Sequence, residues 1–179
     1  MKKMYVLAAT LICAAVFMSA NITSSAKADN FWSKAAESGM AEVALGNIAL
    51  QRAQSEAVRA FARQMVDDHT TANNELMTLA QGRSIVLPTT MGRSQQAAMD
   101  NLTRASDADF DRKYMMQMVK DHRQAVSLFE KTSTSSTDAD AKAFAAKYLP
   151  TIRQHLQMAT SLSATVGNSA VPKVARLSR

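Results

Sequence analysis

Two segments of the chain nearly repeat one another, and each ends in a histidine. Residues 64–69 read QMVDDH and residues 117–122 read QMVKDH, and the aromatic residue three positions ahead of each segment is Phe61 in the first and Tyr114 in the second. The third and last histidine of the chain, His155, lies in a later segment of helical pattern with similar apolar neighbours. A histidine at one level of several packed helices is an arrangement that can build a binding site.

The position three residues before each histidine is apolar. These residues are Val66, Val119 and Ile152. Since positions i and i−3 share a helix face, each histidine lies on or beside an apolar stripe. In the first helix the acid able to face inward at mid-length is Glu42. The sequence therefore predicts a metal site with one side chain from each helix: Glu42, His69, His122 and His155.

Imidazole and carboxylate groups are ordinary ligands of zinc, and of copper or iron in other geometries. Met65 and Met118 lie one turn before two of the histidines and Met158 lies three residues after the third, so they are candidate auxiliary ligands. Soft thioether sulfur favours Cu(I). We therefore expect one zinc or copper ion.

Two aspartates, Asp68 and Asp121, directly precede histidines. Neighbouring residues diverge on a helix, so each aspartate is expected to orient an imidazole on an adjacent helix rather than its own neighbour. The alternative is plain packing, because mid-helix histidines are usually core-edge residues and methionines usually fill cores. Both interpretations stay open at this stage.

Catalytic motifs are absent from the sequence. It contains no Gly-x-Ser-x-Gly, no glycine-rich phosphate loop and no His-Glu-x-x-His. A di-iron bundle uses Glu-x-x-His, but here Val66, Val119 and Ile152 occupy the acid's position. We expect no ferroxidase or oxygenase chemistry, and we favour a protein that is not an enzyme.

The apolar periodicity predicts four long helices and one short one. The long helices are expected at about 30–54, 55–80, 107–131 and 138–165, and the short one at 94–104, inside a connection from 81 to 106. The polar run 132–137 predicts a loop, and Pro150 predicts a kink or a break near Leu149.

Four amphipathic helices predict an all-α four-helix bundle. The connection between the second and third long helices is long enough to travel the length of the bundle, which lets these two helices run in the same direction, as in ferritin-like topology. A twofold axis along the bundle would then superpose the two repeated segments. The alternative is an up-down-up-down bundle with a flexible connection.

The N-terminal residues are typical of an export signal. Lys2 and Lys3 precede the apolar run 4–20, and residues 26–28 match a small-x-small cleavage site. We predict a signal peptide at 1–28, a bundle domain at 29–166 and a disordered basic tail at 167–179. The expected location is periplasmic or otherwise exported, with no stable membrane span after cleavage; a retained anchor and lipidation at Cys13 are the alternatives.

Cleavage would remove Cys13, the one cysteine, so no disulfide or thiolate chemistry is expected. It would also remove Lys2, Lys3 and Lys27, which leaves +3 of the formal net charge of +6. No basic cluster with interleaved aromatic residues is present, so nucleic acid is excluded as a partner. A homo-oligomer stays open.

The chain resembles the bacterial exported family named domain of unknown function 4142, over about residues 31–162. The resemblance rests on the segments 35–43, 61–69, 110–114, 121–122 and 149–156. It implies a ferritin-like helical bundle in the cell envelope and no assigned activity. Glu42 and the three histidines fall within the matching segments.

From the sequence we thus expect a non-enzymatic metal-binding bundle in metal homeostasis or envelope stress. A structural or interaction module without a ligand is the first alternative, and a mononuclear metal hydrolase or oxidase is the second. That last class needs an open coordination position and a pocket that water can reach.

Overall fold

The computed structural model describes residues 19–169, with side chains from 30 to 167. Its helices are α1 (Ser19–Arg52), α2 (Glu56–Gly82), α3 (Arg93–Thr103), α4 (Asp107–Ser135) and α5 (Ala139–Ser169). No strand occurs between residues 19 and 169, so the predicted all-α class is confirmed. The short helix α3 lies inside the long connection between α2 and α4.

Helices α1 and α2 form one hairpin and α4 and α5 form another, with α1 packed on α4 and α2 packed on α5. At one end the backbone N–H of Ser55 donates to Asp111 at 2.7 Å, which joins the start of α2 to the start of α4. At the other end Arg83, just after α2, pairs with Asp138, just after α4, at 2.7 Å. Helices α2 and α4 therefore run in the same direction.

Arg52, the last residue of α1, fixes the connection that follows α3. Its guanidinium donates to three backbone carbonyls and one carboxylate: Leu102 at 3.2 Å, Thr103 at 2.9 Å, Ala105 at 2.6 Å and Asp107 at 2.9 Å. It also lies over the ring of Phe110, 4.8 Å from the centroid. Carbonyl groups at a helix end lack intrahelical hydrogen-bond donors, and here the side chain of Arg52 donates to three of them.

The apolar interior forms two clusters, one toward each end of the bundle. The first includes Leu45, Phe61 and Tyr114, and the second includes Trp32 and Phe129. In each of the four long helices, one candidate ligand falls between the residues of the two clusters: Glu42, His69, His122 and His155. The candidate ligands thus occupy a polar layer at mid-bundle.

Helix α4 is longer than its polar sequence predicts. It continues to Ser135, so only residues 136–138 form the loop that was expected at 132–137. The hydroxyls of Thr132, Ser133 and Thr134 donate to carbonyls three or four residues earlier in the same helix. This back-bonding satisfies the hydroxyls without leaving the helix, which is why a Ser/Thr run remains helical here.

A kink or a break was expected near Leu149; the break is wrong, since α5 continues through Pro150, and the kink stays a prediction. A proline inside a helix leaves the carbonyl four residues earlier without a donor, and that carbonyl belongs to Ala146. Both Pro150 and Ala146 are exposed. Solvent can therefore hydrate the freed carbonyl, and the helix continues.

The ends of the chain lie partly outside the described residues. Residues 19–28 of the predicted signal form the first turns of α1, which starts earlier than the predicted residue 30, and residues 1–18 lie outside. The tail predicted to be disordered at 167–179 is helical as far as Ser169, and residues 170–179 lie outside the described residues. In the stretch 19–169, no helix combines the length and apolar character that crossing a bilayer requires.

We predict that Arg52→Ala lowers the free energy of unfolding by about 2 kcal/mol. A hydrogen bond that involves a charged group contributes about 1.5–3 kcal/mol, and the substitution also leaves carbonyl oxygens without this donor. Urea denaturation followed by circular dichroism measures it. The control is Arg63→Ala, at an exposed position of α2. Equal stability of the two variants would contradict the role given to Arg52.

Candidate metal centre

The polar layer brings three imidazole rings together from α2, α4 and α5. The ring centroids of His69, His122 and His155 lie 5.4–5.7 Å apart in all three pairs. One ring nitrogen from each residue lies within 4.8 Å of the other two. Three helices thus converge on one point, as the repeated segments predicted for two of them.

The three rings present buried nitrogens that lack hydrogen-bond partners. His122 and His155 are each 1% exposed, and His69 is partly exposed but its Nε2 atom is buried. Among the described side chains, no partner exists for Nε2 of His69, Nε2 of His122 or Nδ1 of His155. An unsatisfied buried polar atom costs about 1–3 kcal/mol, so three at one place call for an explanation.

Two of the rings have their tautomers set by an oxygen at the opposite nitrogen. His122 Nδ1 lies 2.9 Å from the carbonyl oxygen of Met118, one turn earlier. His155 Nε2 lies 2.9 Å from Oδ2 of Asp68 on α2. A carbonyl or carboxylate oxygen accepts, so these nitrogens donate and the remaining nitrogen of each ring carries a lone pair. Histidines that bind metals are oriented in this way.

Burial keeps all three imidazoles neutral. It lowers the pKa of His69 to about 3, helped by the neighbouring His122 and His155. It lowers the pKa of His122 to about 4. The pKa of His155 is also lowered by burial, with Asp68 opposing the shift. Neutral imidazole is the form that binds a metal ion, so the lowered pKa values favour binding of a metal ion over binding of a proton.

Glu42 lies beside the three histidines rather than among them. It is 3% exposed, and its Oε1 is 3.8 Å from His122 Nδ1, the nitrogen that already bonds Met118. The free Nε2 of His122 is on another edge of the ring, and the mutually close ligand atoms belong to the histidines alone. Burial, with the charge of Asp121, raises the pKa of Glu42 well above its usual value.

The remaining predicted site residues have various surroundings. Met65 and Met118 are fully buried in the cluster with Phe61, and Met158 packs against that cluster. Their position is that of core side chains, although the carbonyl of Met118 also orients His122. Asp121 accepts two hydrogen bonds from Gln117, at 2.9 and 2.7 Å, and none from an imidazole.

Tyr114 is a polar group of this region that sequence reasoning treated only as apolar. It is completely buried, and its hydroxyl has no partner within the described part of the chain. Burial and the charge of Glu42 raise its pKa, which places the two side chains close together. The available signal was the repeat itself, because Tyr114 adds a hydroxyl where the first copy has Phe61.

The fold and site define a helical protein with a buried cluster of neutral histidines. The family described as Domain of unknown function (DUF4142) matches residues 15–162. That is most of the chain, so the protein belongs to this family, as its sequence resemblance indicated. No curated protein and no solved structure matches. Function must therefore be argued from the chemistry of the site.

For the metal-free protein we predict that the free energy of unfolding falls as pH drops from 6.5 toward 4. Below the ordinary histidine pKa of 6.5, the unfolded chain binds protons that the buried rings refuse, so acid favours unfolding. Each proton that the unfolded chain binds and the folded chain does not changes the free energy of unfolding by about 1.4 kcal/mol per pH unit. The raised pKa values of Glu42 and Asp121 act in the opposite direction, so one histidine must be isolated.

The substitution His69→Gln isolates the contribution of one histidine to this pH dependence. The slope of unfolding free energy against pH should become shallower by at most about 1.4 kcal/mol per unit, in urea titrations with EDTA at several pH values. Gln154→Ala, on the exposed surface of α5, should keep the wild-type slope. Parallel curves for His69→Gln and wild type would show that His69 is not buried as a neutral ring.

Proposed function

We propose that this protein is an exported, periplasmic, non-enzymatic helical bundle that binds one zinc or copper ion through His69, His122 and His155, in metal homeostasis or envelope stress. Two observations support it: one ring nitrogen of each histidine lies within 4.8 Å of the other two, and each ring has a buried nitrogen without a partner among the described side chains. One cation would satisfy all three acceptors at once.

The separations suit a site that tightens on binding. Zinc–nitrogen bonds are about 2.0–2.1 Å, so two imidazole nitrogens on a tetrahedral ion are about 3.4 Å apart. The nitrogens here are within 4.8 Å, and small rotations of the rings would bring them to that distance. The bonds to Met118 and Asp68 involve Nδ1 of His122 and Nε2 of His155, which leaves the other nitrogen of each ring free for the ion.

Within this proposal the bundle is ferritin-like, with four long helices and α3 as an extra helix in the crossover. The shared direction of α2 and α4 supports that topology. It does not extend to di-iron chemistry, since the layer holds one carboxylate, Glu42, and three imidazoles. Export is proposed from the pattern of residues 1–28, and three neutral imidazoles suit either zinc or copper.

We predict that the purified chain, equilibrated with zinc or copper and then dialysed, retains one equivalent of metal. Mass spectrometry measures the content, and the melting temperature should rise, because a ligand bound only by the folded state stabilises it. His69→Ala, His122→Ala and His155→Ala should each lose the metal and the rise. Gln154→Ala should retain both. Metal content at background for every metal tested would overturn the proposal.

The second candidate is a structural or interaction module of the envelope that binds no ligand. Its support is that His122 and His155 each already make one buried hydrogen bond, and a water molecule can bridge some of the remaining acceptors. In that case the three alanine variants change stability by the same amount with and without added metal. A metal-dependent rise in melting temperature would exclude it.

A further inference from the structure

Two neighbouring cavities lie beside the polar layer, and we call the larger one outer and the smaller one inner. The outer one is a cleft of about 960 Å³ between α1, the start of α3 and α4, with exposed Lys34 and Arg123 among its lining residues. The inner one is a cavity of about 40 Å³ that His69 and His155 line directly. The outer cleft therefore leads toward the polar layer.

Only a thin layer of side chains separates the two cavities. Ser38, Ala125 and Phe129 line both of them. Two of the three are small, and Ser38 and Ala125 are only partly buried. A small molecule in the cleft would thus reach the inner cavity past a hydroxymethyl, a methyl and one aromatic ring, without any helix having to separate.

The size of the inner cavity limits what can enter. A water molecule needs about 10–15 Å³ of cavity volume. The inner cavity, at about 40 Å³, therefore accommodates only a few atoms. Alongside the two histidines its lining includes Ala72, Asn73 and Leu76. A cavity of this volume, which Asp68 also lines, suits water, hydroxide, a diatomic gas or a small ligand such as azide or cyanide.

The three histidines leave one position of a tetrahedral ion without a protein ligand. Closed structural zinc sites have four protein ligands, whereas three protein ligands with water in the fourth position form the open arrangement of catalytic sites, which the hydrolase or oxidase alternative requires. Glu42 Oε1 lies 3.8 Å from Nδ1 of His122, the nitrogen that bonds the carbonyl of Met118, and Glu42 is not among the residues whose ligand atoms lie close together. Asp68, the acid nearest His155, already bonds its Nε2 at 2.9 Å.

We infer that the fourth position is open, and that a small exogenous ligand reaches it from the outer cleft past Ser38, Ala125 and Phe129 through the inner cavity. This inference rests on the proposed metal site. It gives that site a ligand class, namely water and small anions or diatomic molecules, and it keeps larger ligands away from the ion.

Azide binding to the cobalt-loaded protein tests the open position, because the visible absorption of Co²⁺ reports changes among its ligands. The full chain is loaded with Co²⁺ and titrated with azide. We expect a saturable spectral change with azide and none with imidazole, which is too large for the inner cavity.

Two substitutions test the route. Ala125→Leu and Ser38→Val each add bulk where the cavities meet, so azide affinity should fall about tenfold or more, which corresponds to about 1.4 kcal/mol. Cobalt stoichiometry should stay at one equivalent in both variants, which shows that the site has folded. The matched control is Ala97→Leu, at an exposed position of α3, and it should bind azide as wild type does.

The outcomes separate the inference from the function it rests on. Absence of bound cobalt, zinc and copper in wild type would overturn both. Bound cobalt whose spectrum azide leaves unchanged would overturn the open position and leave the metal site standing, with a protein group such as Asp68 as the fourth ligand. Azide affinity equal to wild type in both Ala125→Leu and Ser38→Val would overturn the route.

Discussion

The three imidazole rings lie in a layer between two apolar clusters, and burial in that layer keeps them uncharged. A buried imidazolium would have to lose its hydration, and a second protonated ring beside it would repel it. The low pKa values of His69 and His122 express both effects. Because protonation is disfavoured in this layer, each ring keeps a buried nitrogen that carries a lone pair and has no hydrogen-bond partner among the described side chains. A metal ion differs from a proton because it binds three rings at once. The three bonds can offset the free-energy cost of burying its charge.

The shared direction of α2 and α4 explains why the repeated segments meet. Helices that run the same way present equivalent residues at equal heights, so Phe61 faces Tyr114 with ring centroids 6.3 Å apart, and His69 faces His122 at 5.7 Å. An approximate twofold relation of this kind pairs α1 with α5. It relates Asp68, which bonds His155, to Asp121, whose charge acts on Glu42. Asp68 thus bonds an imidazole, whereas Asp121, at the corresponding position, acts on the carboxyl of Glu42.

The helices and the level of the histidines could be predicted from the sequence because they depend on local periodicity. The spacing from Val66 to His69 and from Ile152 to His155 fixes a helix face without any knowledge of packing. Pro150 and the run from Thr132 to Ser135 could not be interpreted in this way. Their outcome depends on whether a freed carbonyl faces water and whether hydroxyls can bond back along the helix. Local composition specifies neither.

The direction of each ring was likewise beyond the sequence. Spacing places a histidine on a helix face, but the choice between Nδ1 and Nε2 depends on acceptors that other turns and helices supply, here Met118 and Asp68. Spacing also gave Glu42 the same status as the histidines, since its height in the bundle is the same. The structure distinguishes them by which edge of His122 the carboxylate meets. That distinction needs atomic positions, so a four-ligand site was the natural expectation and a three-histidine cluster is the result.

The presence of Glu42 rather than a fourth imidazole bears on the kind of site this layer can form. Four neutral imidazoles around one ion would close it, and the inner cavity beside His69 and His155 would then have no role in coordination. With a carboxyl at position 42, one corner of the layer holds a group whose raised pKa disfavours its anionic form and that lies against the wrong edge of His122. A cavity of about 40 Å³ adjoins two of the three histidines, His69 and His155. A layer built for rigidity alone would gain from filling that space with a methyl or a ring, because close packing and hydrogen-bond satisfaction both favour it. Space beside unpaired bases is better explained by a ligand than by packing.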